Sequence, residues 1–429
     1  MWPKITNFAD CSNEIRIMNT SKRIFWTLAV ALTVLTAAAQ HSSTPYSRIG
    51  YGILADNATG IQRAMGGVGI AMQNGRQVNV INPASYSQVD SLTFLWDIGF
   101  DLSNNWSTEG SVKGYTFGGG LDYITSQFRL GKRVGASFGL VPYSNVGYSY
   151  DTEINNGSET RKGSGSLNEL YVGVGVEPLK GLSVGANFSY LFGTLVNRTT
   201  IYSTSTNNFT REVQVRDWNV KVGLQYGVNI GPKGRLVLGA TYMPRKAFHG
   251  RTWGTYIDAT NDTKPDTLSR QSLKDGHQQP HTFGVGVSYT HNNRITAEAD
   301  FTFQQWSKAK YEKLEGFEGT GMSLNDRWKA AAGVAVTPNP RGGYLSRITY
   351  RMGAFYNRDY ISVQSNNVRD YGLTVGFSFP APGSKTLINL GLEWRHRYSA
   401  PVALIKENYL NISLSVNFNE LWFWKNKIR

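Results

Sequence analysis

The sequence predicts an all-β protein, a transmembrane antiparallel β-barrel of about fourteen strands with an N-terminal hatch inside its lumen. Three observations lead to this fold class. Many segments alternate apolar with small or polar residues, which is the period of a strand whose two faces meet different surroundings. The chain is rich in glycine and tyrosine, with 46 and 23 of its 429 residues. An irregular, glycine-containing segment also separates an export leader from the first alternating segment.

The first 39 residues are predicted to be a cleaved signal peptide. Two basic residues precede an apolar run over 24–35, and Ala37, Ala38 and Ala39 then form a small-residue cleavage site. The run is too short to serve as a membrane-spanning helix. We therefore expect the mature chain to be exported to the cell outer membrane. Met18 is an alternative start, because the residues before it make an unusually long leading region.

Charge and residue content argue against several classes of function. The formal net charge is +14, but the basic residues are scattered rather than grouped on one helix, so no nucleic-acid partner is expected. Cys11 is the only cysteine and lies in the leader, which predicts neither disulfides nor cysteine-ligated metals. The histidines lack zinc-ligand spacing, and no nucleophile–base arrangement stands out. We predict no enzyme, no cofactor and no metal site.

The alternating segments define the barrel. One example is 182–190, where Leu, Val, Ala, Phe and Tyr alternate with Ser, Gly and Asn. An even strand number places both termini in the periplasm. Longer polar connections are expected at 155–166, 203–211, 250–276 and 311–323. The predicted strands are 91–106, 114–130, 133–150, 167–177, 181–199, 211–230, 234–250, 276–290, 294–309, 324–337, 345–361, 367–380, 385–399 and 405–418. The predicted domains are the signal peptide 1–39, the hatch 40–90, the barrel 91–418 and a periplasmic tail 419–429.

The hatch is predicted from a motif that neither a strand nor an amphipathic helix requires. Gly66, Gly67 and Gly69 are followed by Asn82-Pro83-Ala84. Glycine permits positive φ and close backbone packing. Proline restricts its own backbone conformation and that of the residue before it. An asparagine side chain can satisfy backbone groups of a buried irregular segment. The alternative interpretation is an ordinary turn on the periplasmic side.

The third predicted strand contains a proline, in Val141-Pro142-Tyr143. Proline cannot donate a hydrogen bond to the ladder, and a closed barrel has no edge strand to accommodate it. The sequence therefore predicts a kink or bulge in this strand. The alternative is a proline above the membrane, at the outer end of the strand.

The glycine motif, the Asn-Pro-Ala motif and about fourteen following strands together resemble the long-chain fatty-acid outer-membrane transporter family of the FadL type. Ala64, Gly66, Gly67, Gly69 and Ala71 match the glycine part of the family pattern. Asn82, Pro83 and Ala84 match the second part. The resemblance implies a hatch inside the barrel and passive transport of long-chain fatty acids or other hydrophobic compounds. It also implies lateral release into the membrane through the kink of the third strand.

The expected partners are a hydrophobic small molecule or lipid and the outer-membrane lipids, with the protein acting as a monomer. Ligand-binding residues are not assigned. Seven charged residues are expected to face the lumen, where they pair with each other, hold the hatch or bind a ligand carboxylate. These residues are Lys221, Glu298, Asp300, Lys329, Arg351, Glu393 and Arg395. The alternative function is a barrel platform or shuttle that binds protein partners in outer-membrane assembly or secretion, through the loop 250–276 and the C-terminal tail.

Overall fold

A computed structural model describes residues 44–421 apart from 262, 264 and 318–321. Fourteen long antiparallel strands form a closed barrel, which confirms the predicted fold class. The predicted signal peptide and the last eight residues lie outside the described residues. The barrel strands are β1 (Thr93–Glu109), β2 (Val112–Gly131), β3 (Val134–Ile154), β4 (Gly157–Leu179), β5 (Leu182–Tyr202), β6 (Thr206–Ile230), β7 (Gly234–Met243), β8 (Thr282–His291), β9 (Ile295–Gln304), β10 (Arg327–Val336), β11 (Thr349–Val363), β12 (Asn366–Pro380), β13 (Leu387–Ala400) and β14 (Lys406–Leu421).

Each barrel strand pairs with its neighbours in the sequence, and β1 pairs with β14 to close the wall. Thr93 lies opposite Leu421, and Thr108 lies opposite Lys406. The first and last strand ends therefore meet at one end of the barrel. The opposite end carries the longest connections, 244–281 and 305–326, and is called the outer end below.

The alternation of residue types corresponds to two different faces. On β6, Trp218, Val220 and Leu224 are exposed on the outside of the barrel, while Asn219 and Gln225 are buried on the inside. The outward residues form the apolar surface that contacts lipid in an outer-membrane-type barrel. Within the described residues, none of the helices has the length and apolar character needed to cross a membrane.

The structure corrects two predicted loops and one boundary. The stretches 155–166 and 203–211 are mostly strand, because β3 and β4 meet in a tight turn at 155–156 and β5 and β6 meet at 203–205. These extensions are polar on both faces, so their sequence lacks the apolar alternation that identifies a strand in lipid. The last strand reaches Leu421 instead of ending at 418.

The longest outer connection contains its own hairpin. The strand Gly250–Asp258 pairs with the outer half of β6, and the strand Asp266–Lys274 pairs with Gly250–Asp258. Two short strands, Lys246–Ala247 and Gln278–Gln279, pair at its base. The predicted loop 250–276 is therefore mainly a β-extension of the barrel wall, projecting from its outer end.

Residues 44–90, the N-terminal segment, have little regular structure. They contain 3₁₀ helices at Pro45–Arg48 and Pro83–Gln88, a two-residue strand at Ile53–Leu54 and one helical turn at Gly60–Arg63. Most of these residues are buried, although few of them belong to a helix or a strand. The segment therefore depends on contacts with the barrel strands for its shape.

Candidate functional site

Inward-facing glycines of the barrel receive the backbone of the N-terminal segment. A Cβ atom added at Gly185 of β5 would lie 2.4 Å from the Pro83 carbonyl carbon. At Gly353 of β11, it would lie 2.2 Å from the carbonyl carbon of Met65. Close approaches of the same kind occur at Gly175, Gly239 and Gly333. Since these strands come from all around the wall, the segment lies across the lumen in contact with opposite sides of it.

The glycine motif lies at this contact. Gly66 and Gly67 have φ values of +78° and +86°, which L-amino acids with side chains rarely adopt. The Gly66 N–H donates to the Thr374 hydroxyl at 2.9 Å, and the Gly69 N–H donates to the Asp300 carboxylate at 2.7 Å. The motif therefore turns the backbone so that its N–H groups reach side chains of two different strands.

The Asn-Pro-Ala motif is buried at the start of the second 3₁₀ helix. The Asn82 side-chain oxygen accepts a hydrogen bond from the Ala84 N–H, and its amide donates to the carbonyls of Ile70 at 2.7 Å and Leu224 at 3.2 Å. Pro83 follows at the first helical position, where its missing N–H costs nothing. One side chain thus links two parts of the segment to β6.

Replacing Asn82 by alanine is expected to lower the free energy of unfolding by about 1–3 kcal/mol, because buried carbonyl and N–H groups lose their partner. Urea unfolding from phospholipid vesicles would measure the difference. Asn74→Ala is the matched control, since Asn74 is exposed in the same segment and bonds only a local N–H. Equal effects of the two substitutions would contradict the assigned role of Asn82.

An apolar cluster fills the outer half of the lumen. Tyr51 of the N-terminal segment contacts Phe248 and Trp306 with ring centroids 5.5 and 5.6 Å apart, and Trp306 stacks on Tyr360 at 4.6 Å. The Tyr360 hydroxyl also accepts a hydrogen bond from the Tyr51 N–H at 3.0 Å. All four rings are almost completely buried. The cluster occupies part of the space beneath the outer connections.

Charged side chains line the middle of the lumen. Asp56 of the N-terminal segment pairs with Arg327 at 2.9 Å and Lys329 at 2.7 Å, and Arg63 pairs with Asp122 at 2.5 Å. Burial by itself would raise the pKa of Asp56, but the charges of Lys329 and Arg327 outweigh it and hold that pKa well below its usual range. These contacts attach the segment to β10 and β2.

Four of the seven predicted lumen charges fall into two groups. Lys329 and Asp300 contact the N-terminal segment, as described above. Arg395 pairs with Glu393 at 2.9 Å and with Asp370 at 3.4 Å, within the wall itself. A cavity of about 160 Å³ lies between the segment and these strands, and its lining includes Asp56, Arg63, Asp101, Lys329, Glu393 and Arg397.

A second cavity of about 240 Å³ lies near the outer end. Its lining is mainly apolar and aromatic, with Trp306, Phe317 and Met322 among the contributing residues. Arg48 and Arg211 add positive charge at its side. Sequence reasoning did not identify this cavity, because its walls come from connections that are far apart along the chain.

The proline of the third strand lies at a bulge. The register of β3 against β4 shifts between Pro142 and Ser144, so that Tyr143 is the extra residue. On its other side, β3 pairs with β2 only as far as Leu140, which lies opposite Ile124. Beyond that point, Ser144 and Asn145 pair with Leu54 and Ile53 of the N-terminal segment. The outer halves of β2 and β3 are therefore not hydrogen-bonded to each other.

Comparison with known families identifies the chain. The family model of BamG matches residues 20–429. This chain belongs to the BamG family. The predicted resemblance to the FadL-type family is confirmed as a likeness of fold, and the family shown is BamG. No curated protein matches this member of the BamG family.

Solved structures similar to this BamG-family chain include two toluene transporters and a FadL homologue. The toluene transporter TodX of P. putida is 15% identical, with a TM-score of 0.61 and coverage of 86% of this chain and 100% of that one. The toluene transporter TbuX of Ralstonia pickettii is 15% identical, with a TM-score of 0.58 and coverage of 85% and 98%. A FadL homologue of Pseudomonas aeruginosa is 11% identical, with a TM-score of 0.62 and coverage of 86% and 99%. At these identities, the comparison establishes a shared fold.

Proposed function

We propose that this chain is a self-plugged outer-membrane barrel that binds protein partners in outer-membrane assembly. The observation that carries the proposal is the filled outer half of the lumen. Tyr51, Phe248, Trp306 and Tyr360 pack there in one buried cluster, and a hydrophobic compound would have to displace their rings in order to pass. A barrel of this kind serves better as a rigid platform in the membrane than as a conduit.

The chemistry of the middle of the lumen supports the same conclusion. The cavity next to Pro142 is lined by several charged side chains, including Arg63, Asp122 and Glu393. An apolar molecule entering it would separate these charges from their partners or leave its own surface against water and polar groups. Each exposed CH₂ group costs about 0.8 kcal/mol. Passage of a hydrophobic compound along this route is therefore unfavourable.

The surface at the outer end offers contacts for a partner. The hairpin of Gly250–Asp258 and Asp266–Lys274 projects from the wall, and most residues of its second strand are exposed. Membership of the BamG family is compatible with a role in assembly. In this proposal, residues 1–39 direct export, residues 40–90 act as the hatch and the C-terminal tail lies in the periplasm. The proposal involves neither a catalysed reaction nor a cofactor.

The second candidate is passive transport of long-chain fatty acids or other hydrophobic compounds, with lateral release at β3. One observation favours it: the break in pairing between β2 and β3 lies beside Val141, Pro142 and Tyr143. The fold shared with toluene transporters and the apolar cavity near Trp306 add support. This mechanism requires the hatch and the apolar cluster to move before a ligand can pass.

One pair of measurements distinguishes the two candidates. The affinity-tagged chain, extracted from membranes in mild detergent, is expected to retain another outer-membrane β-barrel protein in stoichiometric amount. The same chain in liposomes is expected to take up a labelled fatty acid no faster than the Pro142→Val variant does. Purification as a single chain, together with uptake that Pro142→Val abolishes, would reject the platform and support transport.

A further inference from the structure

The outer half of β2 has an unpaired edge. On one side, β2 pairs with β1 up to Val112, which lies opposite Glu109. On the other side, its pairing with β3 ends at Ile124, which lies opposite Leu140. Among the described residues, no strand pairs with the second side of 112–123. A closed barrel therefore contains one stretch of open edge, comparable in length to the 9–11 residues of a transmembrane strand.

The opposite side of this gap is occupied. The outer half of β3 stays paired with β4, but near the bulge residues on both of its faces are buried: Tyr143 is 9% exposed, Ser144 is 0% exposed and Val146 is 4% exposed. Its free side pairs with Ile53–Leu54 of the N-terminal segment. The chain thus adds a short strand of its own to β3, and the edge of β2 receives no such strand from the described residues.

The edge faces the membrane surroundings. Phe117 is 59% exposed and Tyr115 is 57% exposed, next to Trp106 of β1, and Leu121 follows on the same outward face. Unpaired backbone groups are costly wherever lipid replaces water. Natural sheet edges are protected by proline, lysine or inward charges. Lys113 lies at the outer tip of the edge and Asp122, which pairs with Arg63, lies at its inner limit; the eight residues between them, GYTFGGGL, contain none of these.

We infer that the edge of β2 at 112–123 accepts a β-strand from another outer-membrane β-barrel protein. Addition of a strand to a sheet edge uses backbone hydrogen bonds for affinity and alternate side chains for specificity. The outward Tyr115, Phe117 and Leu121 match a strand with apolar residues on its lipid face. Gly118 and Gly120 are buried and carry no side chain, so only small residues would fit on the other face of an added strand. A strand of this composition is the one that builds an outer-membrane barrel.

This inference rests on the proposed function and specifies its contact surface. A strand from a different barrel protein is the proposed occupant, because it alone satisfies the backbone groups of β2 and continues the apolar outer surface. A soluble protein would leave the lower part of the edge in contact with lipid. A second copy of this chain is the other possible occupant, and the test below treats it as a separate outcome.

Photo-crosslinking in intact cells tests the inference. A benzoylphenylalanine in place of Phe117 is expected to form an adduct with another outer-membrane barrel protein, through a peptide from one of its strands. The matched control is the same replacement at Leu373, which is 58% exposed on β12 and paired on both sides by β11 and β13. We expect at least about tenfold more adduct at 117, since the edge is open only there.

A third position separates failure of the inference from failure of the proposed function. Leu268 lies on the exposed hairpin and is 52% exposed. A barrel partner crosslinked through 268 but not through 117 would overturn the inference and leave the proposed function intact. No barrel partner in the affinity purification and no adduct at any of the three positions would overturn both. Equal adducts at 117 and 373, or an adduct at 117 only with a second copy of this chain, would also overturn the inference.

Discussion

A variant lacking residues 44–90 is expected to conduct ions steadily, at least about tenfold more than the full chain, because a fourteen-stranded barrel is too wide for its own side chains to fill. The N-terminal segment occupies this space through backbone contacts with glycines on opposite walls. Without it, water and ions enter the lumen. Single-channel recording in planar lipid bilayers, with the full chain measured under the same conditions, gives the comparison.

A point substitution provides a milder form of this experiment. Leucine in place of Gly353 would collide with the backbone of Met65 and Gly66, and it is expected to displace the segment while the barrel persists. Gly343→Ala is the control, because a Cβ atom there meets nothing within 4 Å. If the deletion and Gly353→Leu both left the conductance unchanged, the barrel would be closed by something other than the N-terminal segment.

Replacing Asp56 by asparagine is expected to lower the free energy of unfolding by about 3 kcal/mol at neutral pH. The substitution leaves Arg327 and Lys329 in the lumen without their shared carboxylate, and removal of one partner from a largely buried ion pair has a cost of this order. Urea unfolding from vesicles measures the effect. Asp90→Asn is the control, since Asp90 pairs with Arg76 where both side chains are well exposed.

The effect of Asp56 should depend on pH in one direction. Its neighbours hold the pKa of Asp56 below the ordinary value of 3.8, so the folded protein keeps the carboxylate charged where the unfolded chain is protonated. The stabilisation is therefore complete above the unfolded pKa and is lost as the pH falls below it. The difference between the native chain and Asp56→Asn should shrink as the pH is lowered through this region. A difference that grew on acidification would contradict the assigned ion pairs.

Together, these predictions separate two properties that the shared fold does not distinguish. The deletion tests whether the segment blocks the lumen, and Asp56→Asn tests how tightly the segment is held in place. A strongly held segment favours a permanent platform. A weakly held segment, released at low energetic cost, would favour the movement that passive transport requires.

The sequence by itself determined the barrel, because period-2 alternation is a local property that any single strand displays. The segments around Val184 and Leu373 reveal their two faces without reference to their neighbours, and an even number of such strands predicts closure. The same local reasoning located the irregular segment and the proline at 142. It failed at 155–166, where a strand in water has no apolar face to display.

Only the tertiary structure decided which residues meet across the lumen. Gly353 contacts Met65 and Asp56 contacts Lys329, although each pair is separated by more than half the length of the chain. Nothing in the local pattern around either residue specifies its partner. The open edge of β2 is likewise invisible in the sequence, since 112–123 has the composition of an ordinary strand. It arises because the neighbouring strand bends inward at Tyr143 and pairs with the N-terminal segment instead.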